Sequence, residues 1–70
     1  MNAETIRELI HRQPFEMFEI RMTNGDTHQV RHPEMLFQAG SRVIVHYPAT
    51  DRIAILSLLH VAAIEMLQVA

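Results

Sequence analysis

The 70-residue sequence contains no cysteine and no lysine, only two glycines and only four aromatic residues. The absence of cysteine excludes disulfide bonds, Cys-His catalytic pairs and cysteine-ligated zinc. The two isolated glycines, Gly25 and Gly40, cannot form a glycine-rich phosphate-binding loop. A chain this short forms one domain with a small core and usually needs a further source of stability. Since disulfides are excluded, we expect it to form a homo-oligomer.

The charged residues are few and dispersed. Six basic and eight acidic residues give a formal net charge of −2. A protein that binds nucleic acid normally concentrates positive charge and presents aromatic side chains for base stacking. The charge pattern therefore disfavours nucleic-acid binding, although a ring of subunits could gather one arginine per subunit around its axis. The basic residues are Arg7, Arg12, Arg21, Arg31, Arg42 and Arg52.

No membrane or export signal is predicted. The first ten residues, MNAETIRELI, carry charges where a signal peptide needs an apolar segment. The longest apolar stretch, 53–70, is interrupted by polar residues and is short for a bilayer span. We therefore expect a cytoplasmic protein with no membrane segment.

Residues 2–12 are predicted to form a short amphipathic helix. Apolar side chains recur there at spacings of three and four. Asn2 is suited to cap the helix N-terminus, and Pro14 disfavours helical conformation in the residue before it. The helix should therefore end near Arg12.

A β-hairpin follows, because the apolar period changes to two. Its strands are predicted at 17–22 and 26–31, on either side of Asn24-Gly25. A three-residue loop at 23–25 would pair Ile20 with His28 and keep one face of the hairpin apolar. A two-residue loop would lose that match, so the longer loop is predicted.

The segment 32–37, HPEMLF, reads as a proline-led helical turn that would cap one mouth of a barrel. Propensity alone would allow a helix over 54–68, but β-branched residues and alternation after a hairpin-like turn favour strands. A tight turn is then needed at 58–60. The remaining strands are predicted at 41–47, 52–57 and 61–67. In the first of them the alternation places Val43 and Val45 on the inward face, and Arg42, Ile44 and His46 on the other.

A helix followed by five strands, with a tight turn before the last, resembles the Sm-like proteins and related SH3-like barrels. The chain also resembles a family of short uncharacterised bacterial proteins with the pattern PFxPFxI, an Asx-Gly turn, VRHPE and SLLHIxxIE. The matching segments here are 14–20, Asn24-Gly25, 30–34 and 57–65. The resemblance implies a mainly β fold, an N-terminal helix followed by a five-stranded Sm-like or SH3-like barrel. It implies no activity.

The Sm-like resemblance also implies an alternative function, an RNA-binding ring. Sm-like proteins hold uridine with an Asp/Asn pair between their second and third strands, and the segment 32–41 contains neither residue. Their second motif is Arg-Gly or, in the bacterial RNA chaperone, Lys-His, and this chain has Leu59-His60 there. In such a ring His60, with nearby Arg31 and Arg42, would surround the pore.

Five histidines raise the question of a metal site, but no HxH or HExxH spacing is present. His32, before Pro33, is predicted to cap the helical turn with its side chain, and a role as a binding residue is the alternative. The acidic residues are dispersed over different elements, and no acid–base pair for catalysis is evident among them. No enzyme, metal or cofactor is therefore predicted. The histidines are His11, His28, His32, His46 and His60.

These observations favour a non-catalytic interaction module that forms a homo-oligomer through its edge strands. The apolar sequence of 61–66 suits such an edge. A protein partner would bind the oligomer surface or the HPEMLF turn, with Met35 and Phe37 as contact residues.

Overall fold

A computed structural model describes residues 1–67. Within them the chain forms one α-helix, six strands and two single turns of 3-10 helix. The predicted mainly β class with an N-terminal helix is confirmed. In chain order the elements are α1 (Ala3–His11), β1 (Phe18–Met22), β2 (Thr27–Val30), η1 (Pro33–Met35), β3 (Leu36–Ala39), β4 (Arg42–Tyr47), β5 (Arg52–Ser57), η2 (Leu58–His60) and β6 (Val61–Met66).

Helix α1 begins and ends where the sequence predicts. Asn2 is the N-cap, and its side-chain oxygen accepts a hydrogen bond from the Thr5 N–H at 2.9 Å. Ile6 and Leu9 are buried on the face that packs on the sheets. Arg12 is already extended, so the helix ends at the position expected before a proline.

The β1–β2 hairpin has the predicted three-residue loop. The Met22 N–H donates to the Asp26 carbonyl at 2.8 Å, and the Gly25 N–H donates to the Met22 carbonyl at 3.0 Å. Gly25 has a φ of 95°, in the region that favours glycine. Ile20 lies opposite His28, which confirms the predicted register.

The turn η1 forms as predicted, but its cap differs. The His32 side chain makes no capping hydrogen bond, so that prediction is wrong. Instead, the His32 carbonyl accepts the Met35 N–H at 3.1 Å. The turn is only three residues long, and this backbone hydrogen bond already satisfies the Met35 N–H, which a side-chain cap would otherwise bind.

Strand β3 was not predicted, so the described chain has six strands where five were expected. It pairs antiparallel with β4, with Leu36 opposite Val45 and Phe37 opposite Ile44. Leu36 lies in the core and Phe37 on the outside. The alternation of inward and outward side chains was hidden in the sequence because both residues are apolar. Since Leu36 and Phe37 face opposite sides of the strand, they do not jointly cap a barrel mouth.

Strands β4 and β5 form a second hairpin. Val43 and Val45 are buried, as their spacing predicted, and Val43 lies opposite Leu56. Asp51, in the connecting loop, has a φ of 53°. Aspartate visits this left-handed region more readily than most residues because its short polar side chain can form local hydrogen bonds.

The C-terminal strands are confirmed. Turn η2 connects β5 to β6, and β6 pairs antiparallel with β1, with Ile64 opposite Ile20. The helix considered for 54–68 is wrong over the described residues, and Gln68 lies outside them. The His60 carbonyl accepts the Thr23 N–H at 2.9 Å, which fixes η2 against the first hairpin.

The six strands form two three-stranded sheets. Sheet A has the order β2-β1-β6 and sheet B the order β3-β4-β5. They do not close into a barrel over the described residues. Between them and α1 lies a core of buried apolar side chains, Ile6, Leu9, Phe18, Ile20, Met22, Val30, Met35, Leu36, Val43, Val45, Leu56 and Leu58. Residues 1–67 include no helix of the length and apolarity that crossing a membrane requires.

Candidate functional site

The outer face of sheet A is polar. Glu19 of β1 lies directly opposite Glu65 of β6, a pairing of like charges. Each carboxylate has a donor: Arg21 binds Glu65 at 2.6 Å, and the Gln29 amide donates to Glu19 at 3.3 Å. These exposed pairs contribute little stability individually, but they make this face well hydrated.

The outer face of sheet B is apolar by contrast. Phe37 lies opposite Ile44, and Ile44 lies opposite Ile55, so three strands place one apolar side chain each in a row. Ile53 lies beside this row on β5. Phe37, Ile53 and Ile55 are 68%, 64% and 65% exposed, and Ile44 is half-buried. We refer to these four residues as the sheet B patch, and contiguous exposed apolar surface of this kind marks interaction sites.

Polar groups border the sheet B patch. His46 lies opposite Ile53, and its Nε2 is 3.1 Å from an Asp51 carboxylate oxygen. Arg42 is exposed at the other end of β4. An apolar centre with a polar rim is the usual composition of a protein interface.

The edge of β5 is open on the side away from β4, where clefts separate it from residues of the β1–β2 hairpin. The Leu58 N–H donates to the Ser41 carbonyl at 3.0 Å, and these two residues are opposite each other in the β4–β5 register. Hydrogen-bonded and non-hydrogen-bonded pairs alternate along antiparallel strands. The backbone N–H and C=O groups of Ile53, Ile55 and Ser57 therefore point away from β4, and no other described strand pairs with them.

Strand β5 lacks the features that usually protect an edge. Its six residues include no proline, no lysine and no bulge against β4. Arg52, at its first position, is its only charged residue. Exposed edges of this composition readily pair with another strand.

His28 and Tyr47 meet at one end of the gap between the sheets. His28 Nδ1 and the Tyr47 phenol oxygen are 2.5 Å apart, a short hydrogen bond whose donor depends on the histidine tautomer. Burial raises the pKa of Tyr47 above its ordinary value of 10.0, and the nearby charge of Arg52 opposes that shift. The bond satisfies two half-buried polar groups and ties β2 to β4.

This pair lines a shallow cleft of about 520 Å³ together with Asp26, Arg52 and residues of β5. An adjoining cleft of about 470 Å³ shares Asp26 and His28 and extends to His60. Their side-chain groups can form hydrogen bonds with a ligand. Among residues 1–67 no three His, Asp or Glu side chains are grouped so that they could hold a metal ion.

The predicted site residues do not come together in one place. Phe37 lies in the sheet B patch, whereas Met35 is only 8% exposed and belongs to the core. Arg31 donates to Gln29 at 2.9 Å beside sheet A. His60 is exposed at the end of η2, and its side chain lines the second cleft.

Two features were missed by sequence reasoning, the sheet B patch and the His28–Tyr47 bond. The sequence indicated the His28–Tyr47 hydrogen bond indirectly, because the predicted registers place both of these side chains on the inward faces of their strands. The patch had a weaker signal, since Ile44 was predicted to face outward with Arg42 and His46. Its neighbours on β3 and β5 become visible only when the sheet is assembled.

No protein-family model matches this chain, and neither a curated protein nor a solved structure matches it.

Proposed function

We propose that this protein is a non-catalytic interaction module that self-associates through its open strand edges and the sheet B patch. The observation that carries the proposal is the difference between the two outer faces of one small molecule. Sheet A pairs its charges at its surface, whereas sheet B exposes Phe37, Ile53 and Ile55. Both sheets are antiparallel, and a sheet face that remains in water is normally polar.

The physical driving force is burial of the exposed isoleucines. Full burial of such a side chain contributes about 1.5–3 kcal/mol. Ile53 and Ile55 are about two-thirds exposed, so covering each adds about 1–2 kcal/mol. For a chain of this size, whose total stability is about 4–10 kcal/mol, that gain is substantial.

Light scattering after size-exclusion chromatography tests the proposal on untagged protein over a series of concentrations. We expect a mass above that of one chain, falling on dilution. The double variant Ile53→Thr/Ile55→Thr keeps β-branched side chains on β5 and should shift the mass to that of a single chain. Gln29→Thr, on the outer face of β2, is the matched control and should leave the mass unchanged. A wild-type mass of one chain at every concentration would refute self-association.

The small-barrel resemblance and the RNA-binding alternative remain predictions, as does a cytoplasmic location. The order of the elements, with a 3-10 turn before the last strand, supports an Sm-like or SH3-like architecture. RNA binding has weaker support, because His60 shares its cleft with the exposed carboxylate of Asp26. Filter binding to U-rich and A-rich RNA tests it, and a salt-sensitive affinity would favour it.

A further inference from the structure

We infer that two copies of this chain pair through β5, antiparallel and about a two-fold axis beside Ile55, so that two sheets B become one six-stranded sheet. The inference rests on the proposed self-association and specifies its geometry. The second copy is the occupant because the open edge is complementary to itself.

The backbone groups set the register. The outward N–H and C=O groups of β5 belong to Ile53, Ile55 and Ser57, which are evenly spaced with Ile55 at the centre. An axis beside Ile55 places it opposite Ile55 of the second copy, and Ile53 opposite Ser57 of the second copy. Every outward group of the strand then has a partner. If the register moved by two residues in either direction, some of these outward N–H and C=O groups would have no hydrogen-bond partner.

The side chains agree with this register. Arg52 would lie opposite Leu58 of the second copy, so no like charges face each other across the new pair. Ile55 lies on the outer face next to Ile44, with Phe37 beyond. The row of three apolar side chains would therefore continue without interruption into the same row of the second copy.

The other three strand edges are less suitable. Strand β2 has only four residues, and β3, also four residues long, packs against α1. Strand β6 has a register irregularity against β1 and carries Glu65, which binds Arg21. Irregular pairing and charge both protect an edge from further pairing. Strand β5 alone among the described edges is six residues long, regular and apolar at its centre.

Single cysteines test the geometry, because the native chain contains none. In the proposed pair the two Ile55 Cα atoms are about 5.5 Å apart, the distance of a hydrogen-bonded antiparallel pair and within the range of a disulfide. The two Ile53 Cα atoms are about 14 Å apart, because four residues of strand rise separate them. Under mild oxidation Ile55→Cys should therefore lose its monomer band on a non-reducing gel, whereas Ile53→Cys should keep it.

A mixture of Ile53→Cys and Ser57→Cys chains provides a second test that leaves Ile55 intact. It should give a mixed disulfide dimer, while neither variant forms one alone. Circular dichroism checks that each variant keeps the strand content of the wild type.

The outcomes separate the two proposals. A wild-type oligomer whose Ile55→Cys variant stays monomeric on the gel, or whose Ile53→Cys variant cross-links equally well, would overturn the two-fold pairing and leave self-association standing. Cross-linking of Ile55→Cys only when mixed with Ala63→Cys, on the outer face of β6, would indicate pairing of β5 with β6 and would likewise overturn it. A wild-type protein that scatters light as a single chain would overturn both.

Discussion

Replacing Ile55 by alanine separates the stability of one chain from the affinity between chains. At a fully buried position, replacing isoleucine by alanine lowers the free energy of unfolding by about 2–5 kcal/mol. Ile55 is 65% exposed in a single chain, so about a third of that cost applies and unfolding should become easier by about 1 kcal/mol. The variant should therefore remain folded, with the strand signal of the wild type.

The effect on association should be larger. An edge-to-edge pair covers only the flank of Ile55 that faces the second copy and leaves its outer side in water, so about half of the about 1–2 kcal/mol available from its exposed two-thirds is gained. A two-fold pair contains the residue twice, so the variant loses about 1–2 kcal/mol of association free energy. That loss raises the dissociation constant by roughly 5- to 30-fold.

Sedimentation equilibrium over a dilution series measures this constant, and Phe37→Ala is the matched control. Phe37 is equally exposed, at 68%, but it lies two strands from the open edge of β5. Neighbouring strands are about 4.8 Å apart, so its side chain stays outside an edge-to-edge contact. Equal weakening by Phe37→Ala and Ile55→Ala would refute the edge geometry and favour packing of the two patches face to face. An unchanged constant in both would refute any role for the patch.

Three further predictions concern single residues. The single tyrosine, Tyr47, should titrate above 10.0 in the folded protein and near 10 in urea, followed by absorbance at 295 nm. Because folding raises the pKa of Tyr47, the stability that its protonated phenol contributes is complete below the unfolded-state pKa and is lost as pH rises through the folded-state pKa. Equal titration midpoints for the folded and unfolded protein would contradict this. Gly25→Ala should destabilise the protein by about 1–2 kcal/mol in urea unfolding, since open space surrounds the residue but its φ is 95°. Asn2→Ala should cost about 0.5–2 kcal/mol because the Thr5 N–H loses its acceptor, and Asn2→Ser should recover most of it.

Features that depend on neighbouring residues were predictable from the sequence. The register of the first hairpin follows from a turn residue, Gly25, and from the need to keep Ile20 and its neighbours on one apolar face. The cap at Asn2 follows in the same way from side-chain chemistry. The C-terminal strands were harder, because helix propensity competed with the β-branched pattern, and pairing with β1 and β4 favours the strands.

Features that depend on the assembled sheets were not predictable. Strand β3 follows a proline-led turn, and two adjacent apolar residues, Leu36 and Phe37, conceal its alternation. Its pairing with β4 provides hydrogen bonds that local sequence does not indicate. The contact of His28 with Tyr47 links positions 19 residues apart and requires the two sheets to be placed together.

The sheet B patch shows why a chain can conceal an interaction surface in its sequence. Ile44 stands between Val43 and Val45, Ile55 stands in an ordinary apolar run, and Phe37 stands beside a core residue. Each is unremarkable along the chain, and exposed apolar residues that occur singly need no explanation. Antiparallel pairing brings the three into one row on the side of sheet B that faces away from the core. Stability of a single chain gives little reason to keep three such residues in line, because Phe37 and Ile55 lie outside the core and threonine would suit the same strand positions. Their alignment is therefore better explained by contact with another surface than by folding alone.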